Sequence, residues 1–201
     1  MAQVGALVDL AQTHPDGPLW LVALATGCRQ SELIGLRWSD VDLEECQISI
    51  TRTLQRIDGQ WLEQEPKSDR STRSIPLPRV ACEALKRQRA TQSAQKLRTK
   101  RWSSEYGNLV FAGVGGRPMD GVSATKRLQA AMSSAGLPRI RFHDLRHMAS
   151  SLLESRGISA RTRMELLGHS QIATTENVYT DVVSASQRDA ADAMDRALDT
   201  K

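Results

Sequence analysis

From Leu19 to Ala25 the chain is apolar without a polar interruption, and Pro18 stands just ahead of the run. Proline fits a first helical turn, where its missing N–H would have no partner. The pattern therefore predicts a mostly buried helix that Gly27 interrupts. Ser31 and Glu32 open a second short helix through Leu33 and Leu36. Ile48 and Ile50, continued by Arg52 and Leu54, alternate with other positions as in a half-buried strand. Asp58-Gly59 is a hairpin turn signal, after which Trp61 and Leu62 begin a return strand. Ser68 to Thr72 read as a polar tip, and Arg73 to Leu77 as a third short strand. From Val80 the pattern turns helical. Gly113 to Pro118 is a loop, and Ser123 to Ala135 is a helix closed by Gly136 and Pro138. Asp144 to Arg156 is another, ended by Gly157. Ser159 caps a helix from Ala160 to Leu167 that stops at Gly168. Thr174 or Thr175 starts a short helix carrying Tyr179. Ala190, Met194, Ala197 and Leu198 share one face of an amphipathic tail helix over 184–201. The fold class expected is mainly α with one small antiparallel β-sheet (α+β).

The 201 residues fit one domain, and a hydrophobic fraction of 40% supports a core. The net charge of +4 hints only modestly at a polyanionic partner, and aromatics at 4% argue against base stacking as the main binding mode. Cys28, Cys46 and Cys82 are odd in number and widely spaced, without a CxxC pair. Neither a zinc site nor a disulfide framework is indicated, and free thiols fit a reducing cytosol. No signal peptide is evident, and the longest apolar run is too short to span a bilayer. Asp40, Asp42 and Glu44 alternate, yet acids after a helix more often serve turns and caps than a metal. No metal or cofactor is expected. Lys86, Arg87, Arg89, Lys96, Arg98, Lys100 and Arg101 form a basic run without an acid. Such a run is either an exposed helix face or a phosphate-binding surface.

Two C-terminal segments carry more. One reads His143-Asp144-Leu145-Arg146-His147. The other reads Leu166-Leu167-Gly168-His169 and is followed ten positions on by Tyr179. Ala25-Thr26-Gly27-Cys28-Arg29-Gln30-Ser31-Glu32-Leu33 and Pro66-Lys67 precede them. In this order the segments resemble the catalytic domain of the tyrosine recombinases, the phage integrase family, from about Leu21 to Tyr179. The resemblance implies that Arg29 and Arg146 are the two arginines of a phosphate pocket and that Glu32 supports the first. It makes His143 the pocket histidine and His169 the third basic position. Lys67 becomes the hairpin lysine, and Tyr179 the nucleophile. Met148, and Thr180-Asp181 after the tyrosine, depart from the commoner family pattern.

The chemistry explains why such residues would be needed. In-line attack on a phosphodiester adds charge to its oxygens, and fixed cationic donors lower that barrier. Arginine grips two acceptors with its planar fork and stays charged. A tyrosine hydroxyl has a free pKa of about 10, so roughly one in a thousand is ionised at neutral pH. Tyr179 therefore needs a base, for which His143 is suited, and the departing 5′-oxygen needs an acid, for which Lys67 is suited. His169 would donate to the phosphate. No GxxxxGK[ST] loop is present, in keeping with a covalent intermediate that needs no nucleotide.

The resemblance further implies a single catalytic domain over 1–201, the C-terminal part of a longer integrase whose N-terminal core-binding domain is absent. Its expected work is site-specific recombination of phage or mobile-element DNA through a 3′-phosphotyrosine. The partners implied are double-stranded DNA and, in the full-length protein, three further protomers, in a bacterial cytoplasm at the nucleoid and away from membranes. The tail helix would pack on a neighbouring protomer or fold back on its own core. Two rivals stay open: type IB topoisomerase-like nicking and rejoining, and a DNA-binding module that does not cut. A charged turn is usually just solvated, and Lys67, Arg70 and Arg73 all lie near the same hairpin.

Overall fold

A computed structural model describes residues 2–64, 72–168 and 185–199. Lys67, His169 and Tyr179 therefore lie outside the described residues, as does the short helix expected around Tyr179.

Two antiparallel ribbons interrupt a largely helical chain. The helices are α1 (Ala2–Thr13), α2 (Gly17–Thr26), α3 (Gln30–Ile34), α4 (Arg79–Arg98), α5 (Gly121–Ser134), α6 (Phe142–Ser155), α7 (Ala160–Leu167) and α8 (Ala185–Leu198). The strands are β1 (Val41–Asp42), β2 (Gln47–Ile50), β3 (Thr53–Ile57), β4 (Gln60–Gln64) and β5 (Arg73–Pro76). Every residue of α2 is buried, as its unbroken apolar run predicts, and α1, α4 and α6 pack around it. A central helix apolar on all sides needs neighbours on all sides, and its burial sets where the rest of the chain goes. Leu19, Trp20, Val22 and Leu24 meet Leu85, Leu128, Leu145 and Ala149 in one core.

The single sheet expected from the sequence is two. β2 lies between β1 and β5, with Ile48 opposite Ile75 and Ile50 opposite Arg73. β3 and β4 form a separate hairpin with Leu54 opposite Glu63. The break falls at Thr51-Arg52, where Arg52 turns aside to pair with Asp40 and with Glu63. The Asp58-Gly59 turn has positive φ at both residues (50° and 82°), the geometry that closes a two-residue hairpin.

The thiol expectation is also corrected. Cys46 and Cys82 are joined in a disulfide with a Cα–Cα distance of 5.7 Å, and Cys28 is the buried free thiol. Pairing of β2 with β5, extended by Leu77 N–H donating to the Cys46 carbonyl at 2.7 Å, brings the start of α4 against the β1–β2 turn. Spacing along the chain does not reveal that closure.

α8 packs against α6, α7 and β5 of its own chain, burying Ala190, Ala193, Met194 and Leu198. The Asp195 carboxylate accepts from the backbone N–H of Arg79 (2.6 Å) and Val80 (3.1 Å). It thus caps α4, whose own preceding residue, Pro78, makes no side-chain cap bond. Among the described residues no helix is long and apolar enough to cross a membrane.

Candidate active site

Three helix ends and one strand start converge on a cluster of arginines. α2 ends at Gly27, which adopts a left-handed conformation (φ 63°) and turns its carbonyl toward α6. There Arg146 Nη1 donates to it at 2.6 Å. Arg146 is 5% exposed, and its Nη2 has no hydrogen-bond partner among the described residues. Burial, and next the charge of Arg29, depress the Arg146 guanidinium to about 10. It stays protonated at neutral pH, but the fold does not neutralise it.

Two residues past Gly27, Arg29 stands in extended conformation ahead of α3. Its backbone N–H donates to Glu32 Oε2 at 2.7 Å and its Nη1 to Glu32 Oε1 at 3.0 Å. One carboxylate thus starts α3 and holds the guanidinium. Arg29 Nη2 donates to the Gly168 carbonyl at 3.0 Å. Gly168 closes α7 in the left-handed conformation (φ 68°), as the sequence predicts, and Ser159 caps the other end by accepting from Thr162 N–H. The Arg29 side chain remains 43% exposed against 4% for Glu32. The guanidinium is pinned on one side and open to solvent on the other.

Arg73 belongs to this cluster and not to a solvated turn. Its Nη1 and Nη2 donate to both Glu32 oxygens at 3.1 and 3.0 Å, and its Nε donates to the Leu166 carbonyl at 3.0 Å. Burial by itself would raise the Glu32 pKa. The charge and hydrogen bonds of Arg73, with the Arg29 N–H and charge, outweigh it and hold the carboxyl below its usual range. Glu32 is therefore ionised at neutral pH. Three guanidinium groups face one carboxylate, and each guanidinium is anchored by a carbonyl at a helix C-terminus, where cations are favoured.

His143 is exposed in the first turn of α6, one turn before Arg146 and beside His147, with ring centroids 4.8 Å apart. Burial, then His147 and Arg146, lower its pKa, so the neutral ring dominates at pH 7. Neutral imidazole is the form that accepts a proton. Among the described residues, then, Arg29, Glu32 and Arg146 come together, with His143 on the turn preceding Arg146. Sequence reasoning missed Arg73 and the carbonyls of Gly27 and Gly168. The left-handed glycines were a signal for the carbonyls; Arg73 had none beyond its place at the head of an apolar strand.

The basic run divides. Lys86 pairs with Glu83, Arg89 lies over the Trp38 ring, and Lys96 bonds Asn108 and lies over Trp102. Arg87, Arg98, Lys100 and Arg101 are exposed. Asp40 caps the Arg37 N–H, and Asp42 accepts from Glu44 and Glu45 N–H, so these acids serve local turns.

A family model described as the phage integrase family matches residues 2–185. This chain belongs to the phage integrase family. A phage integrase-family relative from Caldanaerobacter subterraneus subsp. tengcongensis, described as tyrosine recombinase XerC-like, is 32% identical over 206 residues, covering 96% of this chain and 52% of that protein. A tyrosine recombinase XerC from Mycobacterium sp. is 36% identical over 165 residues, covering 82% and 48%. The chain thus spans about half the length of the curated relatives it matches. In fold it resembles the Tn1549 transposon integrase, solved in complex with transposon right end DNA. The TM-score is 0.74 at 24% identity, over 85% of this chain and 57% of that one. The mainly helical fold with small antiparallel sheets is the one shared with that integrase and with the XerA recombinase, at a TM-score of 0.65 and 21% identity.

Proposed function

We propose that this chain is the catalytic part of a site-specific DNA recombinase that cuts and rejoins strands through a 3′-phosphotyrosine. The observation that carries the reading is the buried Arg146 guanidinium, anchored by Gly27 through one nitrogen and, among the described residues, left without a partner at the other. An unpaired buried donor of a charged group costs on the order of 1–3 kcal/mol, and it persists where a ligand repays it. Beside it, Arg29 is pinned but open. A phosphodiester monoanion between these two supplies both the acceptor and the missing charge.

In this reading the two guanidinium groups grip the non-bridging oxygens and stabilise the charge that grows there. The Tyr179 oxygen attacks phosphorus in line and passes its proton to His143. The bond to the 5′-oxygen breaks, and Lys67 protonates that oxygen. His169 donates to the phosphate. The new ester keeps the energy of the broken one, so a partner strand's 5′-hydroxyl reverses the step without a nucleotide. The exposed Arg87, Arg98, Lys100 and Arg101 are proposed to add phosphate contacts. Double-stranded DNA is the proposed partner, four protomers the proposed working assembly, and the bacterial nucleoid the proposed place.

A nicked suicide duplex tests this directly. A covalent protein–DNA adduct is expected to form in EDTA and to be lost in Tyr179→Phe. Metal-dependent cleavage without an adduct would refute the reading. An adduct without strand exchange by the whole protein would favour a topoisomerase-like outcome.

A further inference from the structure

Arg73 occupies a place that the proposed chemistry leaves without a role. It heads β5, yet its side chain is 7% exposed and is held at all three nitrogens. Nη1 and Nη2 donate to Glu32 at 3.1 and 3.0 Å, Nη2 also donates to Cys28 Sγ at 3.8 Å, and Nε donates to the Leu166 carbonyl at 3.0 Å. The same carboxylate and the same helix end support Arg29. Glu32 holds Arg29 Nη1 and N–H, and the end of α7, two residues past Leu166, supplies the Gly168 carbonyl that holds Arg29 Nη2. The contact is close. A β-carbon at Gly168 would lie 2.8 Å from Arg73 Cζ and Nη1, so the guanidinium packs directly beneath that glycine.

We infer that Arg73 is a positioning residue for Arg29, gripping one of its anchors, Glu32, directly and the other through the end of α7 that carries the Gly168 carbonyl. This rests on reading Arg29 as a phosphate clamp. Without Arg73, Arg29 is the one guanidinium among the described residues still hydrogen-bonded to Glu32, and it would be drawn inward toward the carboxylate and away from the open side. The end of α7 would lose the bond at the Leu166 carbonyl, two residues before Gly168. Arginine is required because only a planar fork can meet two carboxylate oxygens and a carbonyl together. A lysine at the same place keeps the charge and meets one of these acceptors well. Misplacing a positioned donor by about 1 Å costs on the order of 10²-fold in rate.

The test compares Arg73→Lys and Arg73→Gln in single-turnover cleavage of the nicked duplex, with DNA affinity followed by anisotropy and folding by thermal unfolding. Arg73→Lys is expected to fold, to bind DNA within about threefold of wild type, and to form the adduct at least about tenfold more slowly. Arg73→Gln is expected to fall further, by about 10²-fold. In an Arg29→Ala background the Arg73→Lys loss should shrink to less than about threefold, because the two changes act through one group. A wild-type rate in Arg73→Lys overturns the inference. So does a loss of the same size with and without Arg29, or a loss confined to affinity.

A second readout does not depend on cleavage. The Arg29 Nη resonances, assigned by their absence in Arg29→Lys, should be split by hindered rotation in the wild type and collapse in Arg73→Lys. Unchanged splitting overturns the inference. Absence of any adduct from the wild-type protein would instead overturn the recombinase reading.

Discussion

Gly27 joins the core to the chemistry, and replacing it by alanine perturbs both in a calculable way. Its φ of 63° is a left-handed conformation that costs an L-residue about 1–2 kcal/mol. A β-carbon there would overlap the Leu167 Cδ2 methyl and lie 3.4 Å from Ala149 Cβ. Leu167 is 2% exposed and has little room to retreat, so overpacking adds about 1–3 kcal/mol. Gly27→Ala should therefore lower the unfolding free energy by about 2–5 kcal/mol, measured by urea denaturation at constant slope. The Gly27 carbonyl holds Arg146, so the adduct rate should fall as well, by about tenfold or more. Leu167→Ala alone should cost about 2–5 kcal/mol. In the double variant the overlap is gone, and the combined cost should be smaller than the sum by about 1–3 kcal/mol. Strict additivity would refute the contact. A stability loss with an undiminished rate would refute the link from Gly27 to Arg146.

Three further outcomes follow from the same geometry. His143 is held below the ordinary value of 6.5 by burial, His147 and Arg146. The kcat/KM of cleavage should thus rise as this ring loses its proton, with an acid limb centred below 6.5 that disappears in His143→Gln; a limb above that value, or one that survives the substitution, contradicts His143 as the base. Arg146→Met removes a buried cation with an unpaired nitrogen, and should raise unfolding free energy by about 1–3 kcal/mol while abolishing the adduct; a destabilised variant would show that the fold depends on Arg146. Asp195→Ala should cost about 1 kcal/mol through loss of the cap that α8 gives α4, seen as a lower urea midpoint, and an unchanged midpoint would show that α4 needs no such cap.

Local features were legible in the sequence, and features that depend on distant chain segments were not. Ser159 and Gly168 bound α7 because capping uses atoms within four residues. Arg29 and Glu32 pair because they lie one helical turn apart. The apolar run of α2 announces its burial. Helix α1 carries the same kind of local signal: Val4, Leu7, Val8 and Ala11 repeat at helical spacing, and all four are buried. The alternation from Ile48 to Leu54 looked continuous because a period of two does not register a bend, and the bend depends on where Asp40 and Glu63 lie. Arg73 was misplaced for the same kind of reason. A cation near a hairpin is ordinarily solvated, and what buries this one is a glutamate 41 positions away and the end of a helix 93 positions away.

At the centre of the proposed chemistry is a pocket of guanidinium groups that presents a phosphate to Tyr179. The most direct measurement is mass spectrometry of the peptide that retains a nucleotide after the DNA adduct is digested with nuclease and protease. The prediction is one modified peptide, carrying a 3′-phosphonucleotide on Tyr179 and lost in Arg146→Met. A nucleotide on Tyr106, or on any residue other than Tyr179, would contradict it.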